Sequence, residues 1–393
     1  MINSAGEGQT GIEHVIMPFQ VTFDRLQARV VGSGSQADVY ESHATLRAES
    51  GPSALAPGTA TLLAGSFNPA VVRCATKCKR HGDWTGVDAV LLREWLLASS
   101  VGCATPVIEY TILGSGLESC LTSMRGTPLD ALLAAPGHAP DLLDRVEAAE
   151  QLVAFLKSLR AANLSHNDIK PSNIIAFEIR GAHVLRLGDF GSAHCEAMAS
   201  AIGCHAPFPV ASSGYRPPET ALLAAMVEAH VAAHGGELTR AHPIPYQSAD
   251  AWSTGCVCAE VLDGSHPFAT IGPDSSSLEQ LQGVLTVETP AVATVGADDV
   301  ARAWAEYARP TLAVTPDEVY KFCRERAGRG MLAEPARRAE RGSGWDERVE
   351  RLLSLDPCCR ASFANELCNQ LSTRPDLRCD AVYGDESVVH QSA

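Results

Sequence analysis

Between His166 and Gly191 the sequence concentrates groups able to handle a phosphate and a hydroxyl. The run His166-Asn167-Asp168-Ile169-Lys170-Pro171-Ser172-Asn173 places a carboxylate, an ammonium and a carboxamide within six residues. Its proline keeps a helix from forming across them, so the loop can aim several polar heads into one cleft. Sixteen residues after Asn173, Leu187-Gly188-Asp189-Phe190-Gly191 reads as an apolar strand ending in a carboxylate before a glycine. Asn173 and Asp189 would offer oxygens to a hard cation such as Mg²⁺, which takes few protein oxygens and leaves room for phosphate. Asp168 would orient or deprotonate a hydroxyl. Taken singly, an Asp before a Pro is an ordinary turn residue, and only the spacing lifts it above that.

The elements that must position these groups fall into two kinds. Val21 to Val31 reads as a first strand, a second alternating segment runs from near Ala37 to near His43, and Gly32-Ser33-Gly34-Ser35-Gln36-Ala37 between them is a turn. Residues 48–69, rich in Gly, Pro, Ser, Ala and Thr, read as a long loop, after which Val71 to Lys77 resumes as a strand. Val87, Val90, Leu91 and Trp95 at helical spacing put Glu94 on a helix spanning Val87 to Ser100. From Asp141 onward Leu142, Val146, Ala149, Leu152, Val153, Leu156 and Leu159 keep to one helical face, and the second half is predicted to be mainly helical. Thr220 to Gln247 and Ala269 to about Ser343 interrupt it, and the residues from Arg374 read as a polar tail.

Composition bounds the partners. The 393 residues carry 46 acidic against 31 basic side chains, a net charge of −15, which disfavours broad nucleic-acid binding. Hydrophobic residues at 46% and charged residues at 20% exclude wholesale disorder. No apolar run approaches the roughly 20 residues of a membrane helix, and residues 1–20 lack the basic start and apolar core of a secretion signal. Thirteen cysteines without a CxxC pair speak against a disulfide framework or a structural zinc site and for a reducing, intracellular compartment, cytoplasmic or nuclear. The one local basic stretch, Lys321 to Arg341, reads as a solvated surface segment.

Taken in order, these motifs resemble the eukaryotic-type protein kinase family, serine/threonine branch, in a divergent form. The matching residues are Gly32-Ser33-Gly34, Cys74-Ala75-Thr76-Lys77, His166-Asn167-Asp168 with Asn173, Asp189-Phe190-Gly191, Pro217-Pro218-Glu219, Asp250-Ala251-Trp252-Ser253-Thr254-Gly255 and Leu355-Asp356-Pro357-Cys358-Cys359-Arg360. The resemblance implies an α+β bilobal kinase fold, with a small β-rich N-lobe carrying one helix and a larger, mainly helical C-lobe. It implies a flexible leader at 1–22, a kinase domain at 23–372 and a polar tail at 373–393. The N-lobe would cover about 23–122 and the C-lobe about 126–372, with insertions near 48–69, 220–247 and 269–343.

For the site, the resemblance implies that ATP lies under Gly32, Ser33 and Gly34, with Val39 over the adenine. Lys77 would pair with Glu94, 17 residues later, and hold the phosphates. Lys79 is the near alternative, but Ala75 sets the register; Glu94 rests on the resemblance alone. Asn173 and Asp189 would hold Mg²⁺, Asp168 would orient the acceptor hydroxyl, and Lys170 would contact the transferred phosphate. Ser212 would line the acceptor site, Glu219 and Arg360 would form an ion pair, and Asp250 would accept backbone N–H groups of the catalytic loop. His166 and Phe190 would be core residues. Two departures stand out. The third glycine of the turn is Ala37, whose Cβ restricts the loop. Asn167 replaces an arginine that in many relatives reads a phosphate on the activation segment, so phosphorylation there, on Ser200 or Ser213 for example, is not expected to be the main switch.

The function so implied is transfer of the γ-phosphate of Mg-ATP to serine or threonine hydroxyls of protein substrates; the regulatory partner is unknown. The alternative is a pseudokinase scaffold that binds nucleotide without efficient transfer. A small-molecule kinase shares the HxD and Asn loop, but Pro217-Pro218-Glu219 and the Asp250 segment favour a protein substrate.

Overall fold

The computed structural model describes residues 19–23, 27–33, 37–46, 71–79, 88–113, 118–135, 145–179, 181–195, 197, 211–234, 246–268, 271–272, 275–288, 344–354 and 357–371. Among these residues a β-rich lobe is followed by a mainly helical one, an α+β arrangement. The short strands β1 (Phe19–Thr22) and β2 (Val30–Ser33) pair antiparallel with the long β3 (Ala37–Leu46), which pairs with β4 (Val71–Lys79). With β5 (Val107–Leu113) and β6 (Glu118–Met124) they make a six-stranded sheet in the order β1-β3-β4-β6-β5, β2 joining β3 off this path.

Alternation along β4 sets the chemistry of this lobe, because successive side chains face opposite ways. Ala75 and Lys77 line the cleft, whereas Cys74, Thr76 and Cys78 are fully buried. On the buried side Ser42, Thr76 and Thr122 from three strands hydrogen-bond in series at 2.7 and 2.9 Å. Helix α1 (Ala89–Ser99) starts where Asp88 Oδ1 accepts the amides of Val90 and Leu91 at 3.0 and 2.9 Å, an N-cap worth about 1 kcal/mol. Ser100 closes it by donating to the Leu97 carbonyl at 2.7 Å.

A three-stranded sheet of β7 (Thr127–Pro128), β8 (Ile174–Ile179) and β9 (Ala182–Leu187) and the short helix α2 (Leu129–Leu133) open the second lobe. Helices α3 (Arg145–Ala161), α4 (Pro218–His234), α5 (Tyr246–Asp263), α6 (Ser277–Glu288), α7 (Trp345–Leu352) and α8 (Pro357–Leu371) make up its body. The face of α3 expected from spacing is the buried one: Leu152, Val153, Leu156 and Leu159 join Trp252, Val257 and Leu367 in a single core. Each such aliphatic side chain contributes roughly 1.5–3 kcal/mol on burial. Trp252 stacks on Phe268 with centroids 5.4 Å apart.

Four sequence expectations need correction. The single strand expected over Val21 to Val31 is two strands, because β3 pairs with β1 through His43 to Leu46 and separately with β2 through Asp38 to Tyr40. β1 also begins at Phe19, inside the stretch expected to be a loose leader, because its backbone extends the sheet. The interruption expected from Thr220 is helical to His234, as its run of Ala and Leu, the strongest helix formers, allows; α6 likewise lies within the second interruption. The loop 48–69, the basic stretch Lys321 to Arg341, Gly34, Ser200, Leu355, Asp356 and the polar tail lie outside the described residues.

Candidate active site

The loop between α3 and β8 and the turn after β9 are joined by the hairpin they flank. Ile174 lies opposite Leu187 at the open end of β8 and β9, so Asn173 and Gly188 are neighbours, and the Gly188 amide donates to the Asn173 carbonyl at 2.7 Å. Residues far apart in sequence thereby reach one edge of the cleft. The loop is anchored from beneath by Asp250 on α5, whose two carboxylate oxygens accept the amides of His166 and Asn167, both at 2.8 Å. Burial pushes the Asp250 carboxyl up to about 7, against the pull of those two amides. His166 is fully buried edge-on against Phe190. Its Nδ1 accepts the Asp168 amide at 3.3 Å and Nε2 faces the Gly188 carbonyl at 2.9 Å, which assigns the proton to Nε2. Burial holds its pKa below 6.5, so the ring is neutral and structural.

The carboxylate of Asp168 gathers the polar heads of the loop. Its Oδ1 accepts from the amide and hydroxyl of Ser212 at 2.9 and 2.7 Å. Its Oδ2 accepts from Lys170 Nζ at 2.8 Å and Asn173 Nδ2 at 2.9 Å. Lys170 also donates to the Ser212 hydroxyl at 2.6 Å. The same Asn173 amide nitrogen donates to the Asp168 carbonyl, which leaves the Asn173 oxygen for another ligand.

Across the cleft, Lys77 Nζ lies 2.8 Å from Glu94 Oε2 on α1 and 2.7 Å from Asp189 Oδ1. Burial alone would lower the Lys77 pKa, but Glu94 and then Asp189 outweigh it and hold the ammonium charged above its ordinary range. Asp189 is opposed by partial desolvation, yet Lys77 keeps it below the usual carboxylate range. Its backbone is left-handed at φ 57°, a conformation Asp tolerates better than most residues. Lys79, the alternative lysine, instead pairs with Asp88 at the start of α1.

A cavity of about 360 Å³ lies between the lobes, lined by Gly32, Val39, Ala75, Lys77, Glu94, Asn173 and Asp189. Ser33 sits on β2 with its hydroxyl on Asp38 at 2.7 Å, while Ala37, at the third position of the glycine turn, is buried. Glu219 and Arg360 form the buried ion pair expected of them, away from the cavity. Sequence reasoning missed several lining residues. Leu121, Ser123 and Ile175 show only strand alternation in the sequence. Gly126 had a usable signal as a glycine closing an apolar strand: a Cβ there would stand 2.5 Å from the Ala176 carbonyl oxygen and 2.6 Å from Ile175 Cγ2. Only glycine lets the connection between the lobes pass so close to β8.

Chemically the cleft offers an apolar slot, a charged ammonium, a carboxylate and an amide oxygen able to take a hard cation, and a second carboxylate beside a lysine. The donor set of Asn173 and half-exposed Asp189, at 48%, fits Mg²⁺, which prefers oxygen ligands and keeps positions for phosphate.

The family model described as protein kinase domain matches residues 120–370. The chain is 27% identical over 239 residues to a cyclin-dependent kinase F-2 of Oryza sativa subsp. japonica, covering 60% of this chain and 58% of that protein. It is 29% identical over 154 residues to cyclin-dependent kinase 20 of Homo sapiens, covering 38% and 36%. With mitogen-activated protein kinase 4 of Rattus norvegicus it shares 31% identity over 136 residues, covering 34% and 40%. The chain thus spans three fifths or less of the length of these curated relatives.

Proposed function

The chain belongs to the protein kinase domain family, and on that premise we propose that it transfers the γ-phosphate of Mg-ATP to serine or threonine hydroxyls of protein substrates. ATP and Mg²⁺, when bound, supply the phosphoryl group and much of the neutralising charge. Val39 and Ala75 would sandwich the base from above and Ile175 from below. Lys77, steadied by Glu94, would grip phosphate oxygens as a point charge. Asn173 and Asp189 would hold the metal. Asp168 would accept the hydrogen bond of the incoming hydroxyl and take its proton as the oxygen commits. Lys170, on the same carboxylate, would offset charge on the moving group. Protein groups thus position and stabilise, with no covalent step of their own.

The observation that carries this reading is the Asp168 carboxylate, held on both oxygens by Ser212, Lys170 and Asn173, of which Asn173 itself lines the cavity together with Lys77 and Asp189. Lys170 and Ser212 together support the serine/threonine assignment. No helix among the described residues is long and apolar enough to cross a membrane.

The test is transfer of labelled γ-phosphate from Mg-ATP to generic Ser/Thr protein substrates and to the chain itself. Wild type is expected to transfer and Asp168→Asn to fall to background. Equal labelling by both proteins would overturn the assignment of Asp168, and none by wild type would favour the scaffold reading.

A further inference from the structure

The backbone just after Asp189 is gripped from both lobes through its carbonyl oxygens. Arg93 on α1 is 2% exposed and its Nη2 donates to the Gly191 carbonyl. Asn167, from the loop below, is 1% exposed and its Nδ2 donates to the Ser192 carbonyl at 3.0 Å. Two residues on, His194 exchanges main-chain hydrogen bonds with Ser165 at 2.9 and 2.8 Å. Residues 191, 192 and 194 are therefore each tied to a different partner.

Arg93 precedes Glu94, so one turn of α1 delivers a carboxylate to Lys77 and a guanidinium to Gly191. Gly191 itself lies against that ion cluster: a Cβ there would stand 3.2 Å from Asp189 Oδ1, 3.7 Å from Glu94 Oε2 and 3.8 Å from Lys77 Nζ. Fixing the Gly191 carbonyl thus fixes the approach of Asp189 to Lys77. A hydrogen bond from a cation is roughly twice as strong as a neutral one. Asn167 adds a second hold from a left-handed backbone at φ 65°, a conformation Asn tolerates better than most residues. Both acceptors are main-chain oxygens, present whatever the phosphorylation state.

We propose that Arg93 and Asn167 are positioning residues forming a phosphate-independent latch, which keeps α1 inward and Asp189 aimed at the metal site. The latch rests on the phosphotransfer reading for its purpose. It replaces a phosphate-reading arginine by two side chains that read backbone.

The test is amide hydrogen exchange on the phosphatase-treated full chain, joined to Mg²⁺ titration of phosphate transfer. In Arg93→Met the amides of 191–195 should exchange at least about tenfold faster than in wild type, and Arg93→Lys should recover part of the protection. Half-maximal transfer by Arg93→Met should need about tenfold more Mg²⁺ with the protein-substrate KM unchanged, a split that loss of packing alone would not give. Should Arg93→Met fail to fold, Asn167→Gly, which keeps the left-handed backbone, carries the same exchange test from the other lobe. Unchanged exchange in a folded variant, or wild-type protection that arises only after phosphorylation of the segment, would overturn the latch. Exchange is read without turnover, so a wild type that transfers no phosphate defeats the functional reading while the latch is still decided.

Discussion

The two lobes hold themselves together by different means, and the difference explains where the family is legible. In the first lobe the sheet is built by backbone pairing along β3 and β4, and few side chains are dictated beyond alternation. In the second, buried polar side chains bind specific partners across long stretches of sequence. Arg360 is fully buried, donates to the Ser248 carbonyl at 2.8 Å, to the Ser354 carbonyl and to Glu219, and lies 5.3 Å from the Trp252 ring centroid. Such a network tolerates little change of residue type. The family match begins at Cys120, after Lys77 and Glu94 have been passed.

If that contrast is right, changes in the second lobe should cost far more than changes in the first. The largest effect is expected for Asp168→Asn, with transfer down by about 10²–10⁴-fold and melting temperature little changed, read by label transfer and thermal unfolding together. Next comes Arg360→Met, which leaves Glu219 without its buried cation and should destabilise by about 3–5 kcal/mol in denaturant titration. In the first lobe Thr76→Val, which breaks the hydroxyl series with Ser42 and Thr122, should cost only about 1 kcal/mol; a loss as large as that of Arg360→Met would break the comparison.

The smallest effect is one of pH. His166 has a folded pKa below 6.5 because of burial, so the unfolded chain takes up a proton first as pH falls. Its contribution to stability is full above pH 6.5 and declines below it. Asp250 works in the opposite sense, its carboxyl raised from 3.8 to about 7, so its ionisation weakens the fold as pH rises through that window. The difference between wild type and His166→Phe isolates the imidazole: the variant should lose less stability than wild type on acidification below pH 6.5, and parallel curves would contradict the assignment.

The same contrast governs what could be read in advance. The loop around Asp168 and the turn at Asp189 were legible because each packs its polar residues into a few consecutive positions, and the hairpin between them supplies the proximity. Glu94 could be placed on a helix by spacing, yet its contact with Lys77 needs the sheet and α1 to pack, which no local pattern states. Arg93 was invisible for a similar reason: its acceptor is a main-chain carbonyl 98 residues away. The division of the first strand was hidden because alternation is the same on both sides of the break, and only the register on β3 separates β1 from β2. Helix α4 was hidden because its Ala-rich run leads directly into Gly235, Gly236, Pro243 and Pro245, and the composition of the whole stretch does not separate the two parts.

The central claim is a division of labour, with Lys77 of the first lobe holding nucleotide and Asp168 of the second directing the acceptor. The most direct test is the rise in melting temperature caused by Mg-ATP, measured in parallel on wild type, Lys77→Met and Asp168→Asn, since ligand bound to the folded state alone must raise it. The account predicts a shift in wild type, the same shift in inactive Asp168→Asn, and a much smaller one in Lys77→Met. A full shift in Lys77→Met, or its loss in Asp168→Asn alone, would contradict it.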